Sequence, residues 1–311
     1  MQNLSDYIIS SNLSSIDESL LSHLAIEYKV NDIGEGRNLV NEKYGIYDGC
    51  EELADHIVKD IFNSDSLDNE FRYTIGELDG FKNVFFEELI VDLDTSSDDG
   101  GECDDNINIS KNLLVEEALI NIYSTTPTKS EIKGILMHEL THIYNNYMMQ
   151  LKGNMNYIKA ANSEMYRNIT RIGGGAAEDD IKQILYFLVG YERNAFIAQL
   201  RSELDQHRSK IKTPLDALKV LKQCPVYKAY VRVNNLIQYH IDKHIEDPES
   251  EMVAKIYKQI TGDVNSEETT TKILKRLKLQ SNKAMKKLDS IIPKLCVENL
   301  NNIKWRREVP L

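Results

Sequence analysis

Two kinds of hydrophobic patterning divide this chain. Up to about residue 62, and again after Thr128, apolar residues recur at helical spacing; the stretch between carries short aromatic and β-branched runs. Ser15-Ile16-Asp17-Glu18 has the form of a capping box and predicts a first helix to about Lys29. A Gly-containing loop precedes a second predicted helix, about Cys50 to Phe62, with Leu53, Ile57 and Ile61 on one side. Phe71–Leu78 and Val84–Leu93 read as strands separated by the turn signal Asp79-Gly80, and Ile107–Ser110 and Ala118–Ser124 as two shorter ones.

From Thr128 onward almost everything reads as helix. Thr128-Lys129-Ser130-Glu131 is a second capping box, and the helix it opens continues to about Gln150 with Gly134 as its single breaker. On a helical wheel Ile132, Leu136, Leu140, Ile143 and Tyr147 gather into one apolar face. A helix over about Met155–Ile172 ends at Gly173-Gly174-Gly175, and a long one is predicted from Ala177 to Gln206. Thr213-Pro214 opens the next, with Pro at the first helical position. Asp247-Pro248 opens another that stops near Gly262, and Asn265-Ser266-Glu267-Glu268 caps the last. The pattern is α+β: residues 1–210 hold a small mixed or antiparallel sheet with helices, and residues 211–311 a helical region.

Composition adds that the chain is an ordinary globular one, with 41% hydrophobic and 28% charged residues. No apolar run approaches the roughly 18 residues of a membrane span, and the amino terminus lacks a secretory signal pattern. Cys50, Cys103, Cys224 and Cys296 show no CxxC spacing, which argues against a thiolate zinc site or a disulfide framework and makes a reducing cytoplasm the expected home.

Charge is uneven. Residues 1–130 carry 28 acids against 8 bases and residues 131–311 carry 21 against 29, for a total of −12. Lys272 to Lys294 holds eight bases and one acid, Asp289, at the spacing of an amphipathic helix. No aromatic platform or recognition motif accompanies it, so nucleic acid is not the expected ligand, and a protein partner for that helix is left open. The segment Asp92–Asp105 holds seven acids. It begins like a calcium loop at Asp92, Asp94 and Ser96, but Ser97 stands where Gly is required and Cys103 where Glu is required. A solvated acidic loop is the expectation.

Chemistry concentrates in His138-Glu139-Leu140-Thr141-His142. Residues four apart on a helix lie one above the other, so both imidazoles can reach one metal ion while Glu139 projects to the side. The bland alternative is a pair of polar surface histidines. A catalytic zinc needs a third protein ligand. The continuation that supplies a third His is ruled out by Asn145 and Met148 at its Gly and His positions. Glu192 is the candidate, because it lies among Ile181, Leu185, Leu188, Ala195, Phe196 and Leu200 on the predicted long helix, where a carboxylate is costly unless paired or metal-bound. Glu164 is the rival, although Arg167 and Arg171 explain it as a solvated ion pair. His240 and His244, also four apart, lack an acidic companion and are expected to be surface or core residues.

With HExxH followed by Glu192-Arg193-Asn194-Ala195, the chain resembles the zincin superfamily and its gluzincin branch, over about residues 84–206. The resemblance implies a zincin-like domain, Zn²⁺ on His138, His142 and Glu192, Glu139 as general base, and a peptide or protein substrate held along an open sheet edge, for which Ala118–Ser124 is the candidate. It departs from the branch at Phe196, where some members carry an Asp that orients a zinc-bound His. The expected function is zinc-dependent peptide hydrolysis. The alternative is a zincin-fold assembly protein, such as a phage-particle or toxin-complex component, with zinc serving structure alone.

Overall fold

The computed structural model describes residues 47, 49–64, 70–98, 100–104, 107–153, 167–169, 176–211, 214–243, 248–261 and 267–308. The predicted first helix lies outside them, and of the predicted helix Met155–Ile172 only 167–169 are described, as helix. The chain is mixed α+β and mostly helical. Its contacts form two compact units: one from residues 34–159 with Asn194–Gln206, the other from residues 160–193 with His207–Leu311. The second break lies near the boundary read at 210, but residues 160–193 group with the C-terminal helices.

The first unit is built on α1 (Cys50–Asn63), the strands β1 (Glu70–Thr74), β2 (Phe86–Asp94), β3 (Gly100–Cys103) and β4 (Val115–Tyr123), and α2 (Lys129–Leu151). Strand order is β1-β2-β4-β3, with β1 and β3 antiparallel to their neighbours and β2 parallel to β4. Leu89, Val91 and Leu93 on β2 and Ala118, Ile120 and Ile122 on β4 are buried in phase. Alternation sends their neighbours Asp92, Asn121 and Tyr123 to the outer face. Four sequence expectations change here. β1 ends at Thr74, and the Asp79-Gly80 turn sits inside a longer connection, residues 75–85. Ile107–Ser110 makes only an isolated bridge, Ile109 to Val115. The acidic segment is a loop only in part: residues 95–98 are irregular, but β2 runs to Asp94 and Gly100–Cys103 is a strand. Ala118–Ser124 is no edge, because β4 is flanked by β2 and β3.

Helix α2 starts where its capping box predicts, with Thr128 Oγ1 accepting from the Glu131 amide at 3.2 Å. It does not have one apolar face. Buried side chains run all round it, from Ile132, Leu136, Leu140 and Ile143 to Lys133, Glu139, Thr141, His142, Asn145 and Asn146. A helix buried on every side is a core helix. It packs on α1, β3 and β4. Lys133 is answered from α1 by Asp55 at 2.6 Å and Glu51 at 3.8 Å. Cys50 on α1 is fully buried, and burial pushes its thiol far above the ordinary range, so it is an inert packing residue.

The predicted helix Ala177–Gln206 is two helices, α3 (Ala176–Tyr186) and α4 (Gly190–Gln206). The break falls at Phe187-Leu188-Val189, immediately before Gly190, and lets Phe187 turn inward until its ring centroid lies 5.2 Å from that of Tyr230. The C-terminal unit continues with α5 (Pro214–Leu221), α6 (Pro225–Asp242), α7 (Pro248–Thr261) and α8 (Thr270–Glu308). Each of the first three begins at a Pro, whose missing amide proton is no loss there. Leu277, Leu288, Ile291 and Ile292 of α8 are buried against its neighbours. His240 is a satisfied core residue, its Nδ1 3.2 Å from Ser250 Oγ; His244 lies outside the described residues. No described helix is long and apolar enough to cross a membrane.

Asp289 is the exception in α8. Its Oδ1 is buried without a hydrogen-bond partner, and burial raises its pKa to about 6. Its charge also bears on Tyr227 and Tyr230 of α6, both shifted upward chiefly by burial. A carboxyl that holds its proton more tightly when folded stabilises the fold most at low pH. That stability is lost as pH rises from about 4, the unfolded value, through about 6. Replacing Asp289 with Asn removes this titration. The stability gained by Asp289→Asn, measured by urea unfolding, should therefore grow by up to about 3 kcal/mol between pH 4 and 7. A pH-independent difference would show that Asp289 is hydrated.

Candidate metal centre

His138 and His142 stand on successive turns of α2 with their Nε2 atoms 3.0 Å apart and their rings edge to face. Glu192 stands on the first turn of α4, one turn before Phe196 on the same unbroken helix. The Phe196 ring packs edge-on against His138, with centroids 4.9 Å apart. One ligand atom each from His138, His142 and Glu192 lie within 4.8 Å of one another. His142 is 5% exposed and Glu192 6%. Among the described residues, this is the group of His, Cys, Asp or Glu side chains placed to hold a metal.

The donor set fits a small cation. Two imidazole nitrogens bound at about 2.0–2.1 Å and the tetrahedral angle are about 3.3 Å apart, close to what the pair shows. Two nitrogens and one carboxylate oxygen form a borderline set suited to zinc. A neutral N–H···N hydrogen bond could also account for 3.0 Å between the rings.

Glu139 is buried too, at 5% exposure, and is not a member of the triad. It faces β3. A Cβ built on Gly101 would overlap Ile135 Cγ2 and come within 3.0 Å of Glu139 Oε1. Gly101 thus lets β3 lie flush on the helix at the residue between the two histidines. The adjacent Gly100 serves a different need, a φ of +86°. The paired glycines in an acidic run were the one sequence signal for this contact.

Three more residues complete the surroundings. Asn145 lies two helical turns beyond His138 on the same face, 7% exposed, and its Nδ2 is buried without a hydrogen-bond partner. Sequence reasoning had used it only to exclude a third His. Tyr186, at the end of α3, has its pKa pushed up by burial and then by the charge of Glu192. Phe196 occupies the position where the gluzincin pattern can place an orienting Asp, so His138 meets a ring edge there. The rival ligand Glu164 lies outside the described residues. Comparison of the chain with protein-family models, curated proteins and solved structures gives no match.

The flush contact at Gly101 yields a stability test. Gly101→Ala must push β3 from α2 or displace Ile135 and Glu139, at a cost of about 1–3 kcal/mol. Urea unfolding reads that loss directly, and an unchanged midpoint would mean that β3 has room to spare.

Proposed function

We propose that the chain is a zinc-dependent peptide hydrolase of zincin type. The observation that carries this reading is the convergence of ligand atoms of His138, His142 and Glu192 within 4.8 Å, on a helix that also carries the buried acid Glu139 between the two histidines. In this reading His138 and His142 bind through Nε2 and Glu192 through a carboxylate oxygen. Zinc bound there supplies Lewis acidity and lowers the pKa of water toward neutrality. A carboxylate oxygen of Glu139 takes the proton of the attacking water and returns it to the leaving amine nitrogen. Asn145 Nδ2 is an unengaged donor on the histidine face, available to oxygen on which charge develops. Phe196 holds the His138 ring by packing.

One observation favours a second reading. Glu139 on α2 is 5% exposed with β3 packed against it at Gly101, and a base shielded from substrate does no hydrolysis. A zincin-type assembly protein with structural zinc would tolerate that enclosure.

Zinc content and three variants separate the readings and fix the ligands. The purified chain should contain about one zinc per molecule. Glu139→Gln should keep that zinc while cleavage of a broad peptide library falls about 10²–10⁴-fold. A wild-type chain that binds zinc but cleaves nothing favours the assembly reading. Glu192→Ala should lose its zinc to a chelator that leaves the wild type loaded, whereas Glu164→Ala should keep it. The reverse result moves the third-ligand role to Glu164.

A further inference from the structure

The cover on Glu139 is a single short strand. Glu139 is buried, and β3 lies flush against it at Gly101. Little apolar burial keeps that cover in place. None of the four residues Gly100–Cys103 is buried, whereas Val115, Ala118, Ile120 and Ile122 of the neighbouring β4 all are. Lifting β3 therefore takes no buried apolar side chain of its own into water, and such burial is the usual main anchor of a strand. Two of the four residues are glycines, which regain more backbone freedom on release than any other residue. Strand β3 pairs with β4 on one side, and among the described residues no strand pairs with its other side.

Polar ties supply the closure. The Glu102 carboxylate accepts from Asn121 Nδ2, directly opposite it in the ladder, at 3.2 Å and from Tyr123 Oη at 2.7 Å. Two residues before the strand, Asp98 accepts from the Thr125 amide and hydroxyl, each at 2.7 Å. Those bonds hold the Asp98 carboxyl below its ordinary pKa, so it is ionised at neutral pH. Just past the strand the Asp104 amide donates to the Leu119 carbonyl at 3.2 Å. All of these ties run to β4 or to Thr125 just beyond it. A short strand closed by exposed polar bonds, rather than by buried side chains, belongs to the part of a fold that opens well below the global unfolding free energy.

We infer that β3 is a strap over Glu139: closed, it shields the carboxylate between the two histidines, and opened, it bares that carboxylate to water and substrate, which regulates the proposed hydrolase. As regulation the strap rests on the hydrolase reading, whereas its opening rests on β3 alone.

Residue-resolved amide hydrogen exchange on the full-length chain reads the opening without any substrate. Alternation of the antiparallel ladder makes Glu102 the bonded amide next to Asp104. Both should exchange at least about tenfold faster than the paired amides of β2, which lies inside the same sheet. Cutting the side-chain ties, in Asp98→Ala combined with Tyr123→Phe, should speed both amides by about a further tenfold and leave β2 unchanged. If that double variant misfolds by circular dichroism, Tyr123→Phe alone carries the comparison. Cys103 lies opposite Ile120 at a pair without backbone bonds, so Ile120→Cys offers a reducible tie between β3 and β4. Oxidised, that variant should slow exchange at Glu102 and Asp104 and cleave a broad peptide library more slowly, each by at least about tenfold; reduction should restore both. Exchange at Glu102 and Asp104 no faster than in β2, or unmoved by cutting the ties, overturns the strap. Equal cleavage by the oxidised and reduced forms leaves the hydrolase and overturns the strap. Opening that answers to the ties, with no cleavage in any form, leaves the opening strand and overturns the hydrolase.

Discussion

Enclosure of α2 is the constraint on which the rest of the first unit depends. The sheet covers one side, α1 another, and α4 meets it at Ser130–Gln206 and His138–Phe196. A helix so surrounded cannot leave its polar side chains to water, and each needs a local answer. Lys133 has Asp55 and Glu51. Thr141 Oγ1 donates to the Met137 carbonyl at 2.7 Å. The two histidines face each other, and Glu139 lies against a strand with no side chain to spare at Gly101. Polar residues gathered at the centre of an otherwise apolar core are costly to keep, which is why this helix, rather than an exposed one, carries the chemical interest.

Local signals were legible where they act locally. The apolar spacing of α1, the cap of α2 and the prolines that open α5 and α7 placed the starts of those helices to within a residue or two. The sheet was harder, because strand order is decided by contacts distant in sequence. β4 lies between β2 and β3 because β2 and β4 bury matching apolar faces in register over nearly their whole length. No property of Ala118–Ser124 alone reveals that. β3 was missed for a plainer reason: it is four residues long and contains no β-branched or aromatic side chain. Backbone pairing to β4 and the absence of a Cβ at Gly101 hold it in place, and neither appears as hydrophobic patterning.

Glu192 shows how a sequence argument can find a residue and misjudge its setting. It was singled out as a carboxylate in the middle of one long apolar stripe. The stripe is interrupted at Phe187-Leu188-Val189, and Glu192 belongs to the first turn of a new helix. Leu188 and Val189 turn back onto the carbonyls of Leu185 and Tyr186 in tight bonds of 2.9 Å, which end α3. Arg193 bonds to the Val189 carbonyl at 3.0 Å, which starts the α4 ladder.

That break has an electrostatic consequence. The first amides of a helix lack intrahelical acceptors, and the helix dipole is positive at that end. In the interior of a continuous helix, a buried carboxylate would have only side chains to compensate its charge. In a first turn it gains the field of the free amides, a contribution of about 0.3–1 kcal/mol that grows where water is scarce. The Tyr186 phenol, pushed up first by burial, also feels the Glu192 charge across this break. At 6% exposure the Glu192 carboxylate remains largely removed from water even so. The dipole is too small to offset that burial by itself. Under the zinc reading proposed above, a cation held by Glu192 and the two histidines would bear on both the burial of that carboxylate and the proximity of the rings.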